Sequence, residues 1–286
     1  MSTEEKALGY ADYMYHRLKE EERKNIMEVN EALDRLPAQE EGKKTIITHS
    51  GGLDSSTAVI LAVEKYGKEN VISLGFDYGQ KQKVELEYAS RLCNEIGVTR
   101  HILDLSILGD VVKNVSANIG GTDIEMPTIK DVLGNPQPPT YVPYRNLIMF
   151  SLTAAFAEAN AASQIICGLQ IHDEYSYWDT TQKFVDSFNA ITAQNRSWPV
   201  TLTAPFSDLS KTDEVKLLIA LDKDQLLKYS LTCYNPKESL EHYAVNRYNI
   251  SISCGNCPSC AERIAAFVNL GITDPIEGGY QIEVPW

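Results

Sequence analysis

Long apolar runs, a basic surplus and the commoner phosphate loops are all missing from this sequence. The longest apolar run, Leu147–Ala157, is short and contains Ser151 and Thr153, so it cannot supply the roughly 20 apolar residues of a membrane-spanning helix. The chain opens MSTEEK, acidic where a secretory signal is basic, and a cytoplasmic protein is expected. Lys and Arg total 26 against 39 Asp and Glu, a net charge of −13. Such a surface repels nucleic-acid phosphates, which argues against general DNA or RNA binding and leaves small ligands or a basic protein partner. No repeat or low-complexity segment stands out. No GxxxxGK[ST] is present, and no GxGxxG follows a strand-like run. The 286 residues, 43% apolar and 23% charged, suit one large or two modest globular domains.

What is present centres on Thr45–Thr57, TIITHSGGLDSST. Thr45–Thr48 reads as a buried strand, and Ser56–Tyr66 as a largely buried helix. Between them Ser50-Gly51-Gly52-Leu53-Asp54-Ser55 forms a tight turn. Glycines let the backbone come close to a ligand, and the N–H groups and dipole of a helix N-terminus attract an anion. SGGLDS resembles the pyrophosphate loop of ATP pyrophosphatases, which cleave ATP between its α and β phosphates. The resemblance implies that Ser50, Gly51, Gly52, Leu53, Asp54, Ser55 and Ser56 hold ATP. Asp54 would face phosphate only through Mg²⁺, because like charges repel.

The remaining pattern predicts an α/β fold, a doubly wound parallel sheet. Val71–Tyr78 and Arg100–Leu105 read as strands around a helix, Gln80–Ile96, that Gly97 closes. This alternation implies helices on both faces, with ligands at the carboxyl ends of the strands. Residues 107–143 read as a long irregular loop. A helix follows over Leu147–Asn160, a strand over Gln164–Gln170, a helix over Thr180–Asn195 and an extended segment over Thr201–Phe206. Ser210 with Asp213 is a capping box that starts a further helix. Before the first strand, Ala11, Met14, Tyr15 and Leu18, then Val29, Ala32, Leu33 and Leu36, fall at helical spacing. They predict one or two amphipathic helices, an extra packing layer or a docking arm for a protein partner. The expected domains are a helical extension over 1–43, the nucleotide domain over 44–222 and a C-terminal metal-binding region over 223–286.

That last region holds Cys233 and then Cys254, Cys257 and Cys260 in CGNCPSC. Two-residue gaps bring thiolates around a tetrahedral ion, and four cysteines without histidine suit one structural Zn²⁺ with no open position. An iron–sulfur cluster would use the same ligand type. Helix Ala261–Leu270 follows directly. Cys93 and Cys167 are isolated and read as buried.

SGGLDS, FDYGQ, YVPYRN, PFSDLSKTDEVKL and SLTCYN, followed by CGNCPSCAERIAAF, stand in that order. Together they resemble the QueC family, 7-cyano-7-deazaguanine synthases, over about residues 45–270. The resemblance implies that ATP adenylates the carboxylate of 7-carboxy-7-deazaguanine, ammonia displaces AMP, and a second ATP drives the amide to the nitrile. A free carboxylate is a poor electrophile, and joining it to AMP supplies a leaving group. Asp54, Ser55, Arg145 and Lys211 are the implied catalytic residues. Phe76, Asp77, Tyr78 and Gln80 are implied on the nucleotide side. No glutaminase-type domain is visible.

Three departures from the family pattern stand out: the 43 residues before the loop, the long spacer Tyr234–Ser253, and Ile171–Thr180 in place of a Gly-Tyr-Pro-Asp-Cys-Arg-like stretch. Residues 171–180 would border the substrate, their aromatics stacking on the base, or would pack the interface of an expected homodimer. The departures favour, as an alternative, a QueC-like ligase that stops at the amide or joins the acid to a protein amine, as implied for antiphage defence systems. A non-catalytic zinc-bearing nucleic-acid module is the other alternative, opposed by the net charge and the intact loop.

Overall fold

The computed structural model describes residues 29–125, 138–170, 177–238, 250–284 and 286. The expected helix around Ala11–Leu18, and His172, Asp173, Glu174 and Tyr175, lie outside the described residues. Strand β1, Lys44–Thr48, runs at the centre of a five-stranded parallel sheet. Around it stand β2, Val71–Asp77, β3, Thr99–Asp104, β4, Ala162–Cys167, and β5, Thr201–Thr203, in the order β3-β2-β1-β4-β5. Strand order reverses beside β1, which opens a crevice at its carboxyl end, the usual ligand position of such sheets.

Alternation along β1 sends neighbouring isoleucines to opposite faces. Ile46 joins Leu74, Phe150, Ile165 and Phe184 in one core. Its coverings include α5, Arg145–Ala159, and α6, Gln182–Thr192. Ile47 joins Val59, Leu61, Val71, Cys93 and Leu217 in the other. There lie α1, Val29–Asp34, α2, Leu53–Tyr66, α3, Glu85–Ile96, and α7, Lys211–Ala220. Ala32 and Leu36 are buried on that side, so the described part of the N-terminal extension is a packing layer. A third core joins Leu53, Ile60, Leu92 and Leu218 to Ala266 and Phe267 of α8, Pro258–Asn269. Two short strands, β6, Lys237–Glu238, and β7, Ser251–Ile252, pair antiparallel ahead of α8. Cys93 and Cys167 are buried and free, as expected.

Several boundaries move. Helix α2 begins at Leu53 rather than Ser56, because the loop feeds straight into the first turn. Helix α3 begins at Glu85 rather than Gln80, whose side chain is used in a turn: it donates to the Phe76 carbonyl (3.1 Å) and accepts from Tyr78 N–H (2.9 Å). Strand β4 stops at Cys167, where Gly168 packs onto α2. Within the expected irregular stretch lies α4, Ser106–Val112. Its period is hidden because Ile107 and Val111 are exposed while Leu108 and Val112 are buried. The Ser210–Asp213 capping box starts α7 as expected.

Candidate active site

The loop after β1 is shaped by glycine. Gly51 has φ +109°, and a Cβ there would stand 2.1 Å from the Glu85 carbonyl oxygen. Only glycine lets the first turn of α3 lie against the loop. Gly52 is the N-cap of α2 and no side chain caps the helix, which leaves first-turn N–H groups for an anion. The Ser50 and Ser55 hydroxyls lie 3.1 Å apart, and the Gly51 and Gly52 N–H groups donate to Ser55 and Ser50. Gly168 presses on the same turn, where a Cβ would meet the Ser55 nitrogen at 2.8 Å. This cradle of open N–H groups, hydroxyls and missing Cβ atoms fits a phosphate chain.

A cleft of about 320 Å³ opens beside the cradle at the carboxyl ends of β1, β2 and β4. Ser50, Gly52, Asp54, Ser55, Phe76, Tyr78, Gln80, Arg145 and Lys211 all line it. The other four loop and strand positions are placed differently. Gly51 is the hinge just described. The Leu53 side chain is buried between α2, α7 and α8. Ser56 is fully buried, 3.2 Å from His49 Nε2. Asp77 faces away from the cleft and pairs with Lys83 at 2.5 Å. Strand alternation explains this: Phe76 and Tyr78 point one way and Asp77 the other.

Lys211 opens α7 and reaches across to α2. Its Nζ lies 2.7 and 2.9 Å from the two Asp54 oxygens, 3.3 Å from Gln170 Oε1 and 3.5 Å from Glu262. Burial works against this cation, but Asp54, Glu262 and Glu214 outweigh it and its pKa is raised. Burial also pushes the carboxyl of Glu214, which accepts from Gln170, well above the usual range. Arg145 opens α5 with its guanidinium 5.9 Å from the centre of the Tyr78 ring. Its neighbour Asn146 is fixed by Asp179, through Asn146 N–H to the carboxylate (3.2 Å) and Asn146 Nδ2 to the carbonyl (3.0 Å). Tyr177 stacks on Tyr141 at 5.4 Å, and Trp178 Nε1 donates to the Tyr141 hydroxyl at 2.7 Å. Residues 177–179 thus brace the YVPYRN segment.

Reading the sequence missed several cleft residues. His49 is buried between Ser73 and Ser56, and burial, then Arg100, holds its pKa far below the usual range. Gln82, in the turn before α3, and Glu85, its first residue, line the cleft, and Thr232, Tyr234, Ser259 and Glu262 line it from the C-terminal region. Only Glu85 carried a signal, a carboxylate just beyond FDYGQ.

The four cysteines converge as expected. Cys233, Cys254, Cys257 and Cys260 are buried with their sulfurs all within 4.8 Å of one another. Cys254 and Cys260 sulfurs stand 3.9 Å apart, close to the edge of about 3.8 Å of a tetrahedron with 2.3 Å Zn–S bonds. Backbone N–H groups of Asn235, Cys254 and Cys260 donate to cluster sulfurs, and hydrogen bonds from Cys233 and Cys260 lower the Cys257 thiol. The donor set fits a metal ion. Among the described residues no helix is long and apolar enough to cross a membrane.

Comparison with known proteins places this arrangement. A Marinomonas protein described as 7-cyano-7-deazaguanine synthase is 30% identical over 235 residues, 82% of this chain and 98% of the relative. The Oceanobacillus iheyensis synthase is 34% identical over 244 residues, with 82% and 98% covered. The Methanocaldococcus jannaschii synthase is 33% identical over 242 residues, with 81% and 97% covered. The profile of the queuosine biosynthesis protein QueC matches residues 44–271, and with a pyrophosphate-loop cradle at the sheet's switch point and a four-cysteine cluster behind it, the chain belongs to the QueC family of enzymes.

Proposed function

We propose that the chain is an ATP-dependent carbon–nitrogen ligase that adenylates 7-carboxy-7-deazaguanine, amidates it with ammonia and dehydrates the amide to 7-cyano-7-deazaguanine. The observation that carries this is the cleft itself, with a phosphate cradle at one end and the cations Lys211 and Arg145 in its wall. Open N–H groups of α2 and the Ser50 and Ser55 hydroxyls stabilise departing pyrophosphate. Arg145 presents a planar fork suited to a carboxylate or phosphate. Lys211 is held by Asp54 and Gln170, so it keeps the loop carboxylate neutralised until ATP enters. Asp54 is the carboxylate beside the cradle that would share Mg²⁺ with the nucleotide, the ion that offsets phosphate charge. Zn²⁺ suits the four-sulfur cluster, with a structural role. The small substrate, ATP and ammonia need no nucleophilic serine or cysteine on the enzyme.

Mass spectrometry of a reaction holding 7-carboxy-7-deazaguanine, ATP, Mg²⁺ and ammonium tests this, with pyrophosphate measured in parallel. The expected product is the nitrile, with AMP and pyrophosphate formed. Amide alone would leave the adenylation standing and make the enzyme an amide-forming ligase. No turnover with any deazaguanine acid would overturn the reading.

A further inference from the structure

Resting on that reading of the reaction, we propose that Gln82 and Glu85 form the subsite for the nitrogen nucleophile, Gln82 accepting an N–H of the incoming ammonium and Glu85 taking the proton that frees its lone pair for attack. An amine arrives largely as an ammonium, a group with donors only, so its site must offer acceptors. Gln82 is 6% exposed and lines the cleft, and its Oε1 is buried without a hydrogen-bond partner. A buried acceptor left unpaired costs free energy unless a ligand supplies the donor. Glu85, three residues on and 9% exposed, lines the same cleft from the first turn of α3.

Its place is rigid. The Glu85 carbonyl abuts Gly51, where no Cβ could fit, so the first turn of α3 is seated on the phosphate cradle. Gln80 Nε2 donates to Glu85 Oε1 at 3.4 Å, and Gln80 is itself held by Phe76 and Tyr78. Arg100 of β3, Arg145 of α5 and Tyr78 after β2 are the charged and titratable groups that face Glu85. Burial pushes its carboxyl up to about 8 against the pull of Gln80, Arg145 and Arg100, a value matched to a base that works near neutral pH.

The step balances. The nitrogen lone pair forms a C–N bond to the acyl carbon, and the C–O bond to AMP breaks with its electron pair going to the phosphate. Glu85 takes one proton from the ammonium, which frees that lone pair, and the proton left surplus on nitrogen after attack passes to the departing AMP phosphate and on to solvent. The carboxylic acid so formed returns its proton to solvent after AMP leaves.

Three assays on wild type, Glu85→Gln and Gln82→Leu test the subsite. They are acid-dependent ATP–pyrophosphate exchange, amide formation with ammonium, and hydroxamate formation with hydroxylamine, which is an unprotonated nucleophile at neutral pH. For Glu85→Gln the expected result is exchange within a few fold of wild type, with amide formation down about 10²–10⁴-fold and the hydroxylamine reaction much less affected. Gln82→Leu should raise KM for ammonium while exchange persists. Expressed per ammonium ion, wild-type amide formation should rise with pH and level off above about 8 as Glu85 loses its proton, whereas Glu85→Gln should keep rising with the free ammonia. If Glu85→Gln does not fold, Glu85→Asp keeps the charge but draws it back, and should spare exchange while slowing amidation. Unchanged amidation in the glutamate variants, or exchange lost together with amidation, overturns the proposal. Absence of acid-dependent exchange in wild type is a distinct outcome that defeats the adenylation reading and the subsite with it.

Discussion

Ser55 and Asp54 stand side by side in the loop yet carry different burdens. The Ser55 hydroxyl links Ser50, Gly51 and Gly52 within the loop. Ser55→Ala should therefore cut pyrophosphate release at least tenfold, by analogy with loss of one transition-state donor, while the melting temperature barely moves. Asp54 anchors Lys211, which is 8% exposed. Asp54→Ala leaves that cation with Glu262 at 3.5 Å and Gln170. It should lose activity and also about 1–3 kcal/mol of stability, less than for a fully enclosed pair because Asp54 is itself 24% exposed. Parallel activity and melting measurements on the two variants check this; equal melting temperatures would show that the Asp54–Lys211 pair adds nothing to the fold.

At the scale of elements, one side chain ties helix α8 to both the turn before Cys233 and the tail. Arg263, 1% exposed, donates to both oxygens of Asp274 at 2.7 and 2.8 Å. It also reaches the Ser230 hydroxyl at 2.8 Å and the Leu227 carbonyl at 3.1 Å. The helix, the turn before Cys233 and the tail are thereby tied together. Removing one partner of a buried pair strands the other, at about 3–5 kcal/mol. Asp274→Ala should thus lower the denaturation midpoint sharply, whereas Glu277, 25% exposed and paired with Arg91, should matter far less when changed to Ala. Denaturant titration of the two variants reads the difference directly.

Across the whole molecule the cysteine cluster and the phosphate cradle are mechanically joined. Leu231 N–H donates to the Gly51 carbonyl at 2.8 Å, two residues before Cys233, and Ser259 and Glu262 of α8, the helix that carries Cys260, line the cleft. Stripping the metal with a chelator, or Cys257→Ser, should lower the melting temperature and reduce turnover together, and elemental analysis should find about one zinc per chain. Metal-free protein with the same melting temperature would refute a structural site. Much of this was legible along the chain: the SGGLDS loop between strand and helix, the alternation that makes the sheet parallel, the capping box at Ser210 and the cysteine spacing are all local patterns. They are set by backbone dihedrals, hydrogen bonds within a turn and side-chain period, which neighbours in sequence control. What the tertiary structure alone decided is which groups meet. Lys211 finds Asp54 across 157 positions of chain, and the seat of α3 on Gly51 brings Gln82 and Glu85 into the cleft. Those meetings depend on how helices pack on the sheet, through distances that no local pattern encodes.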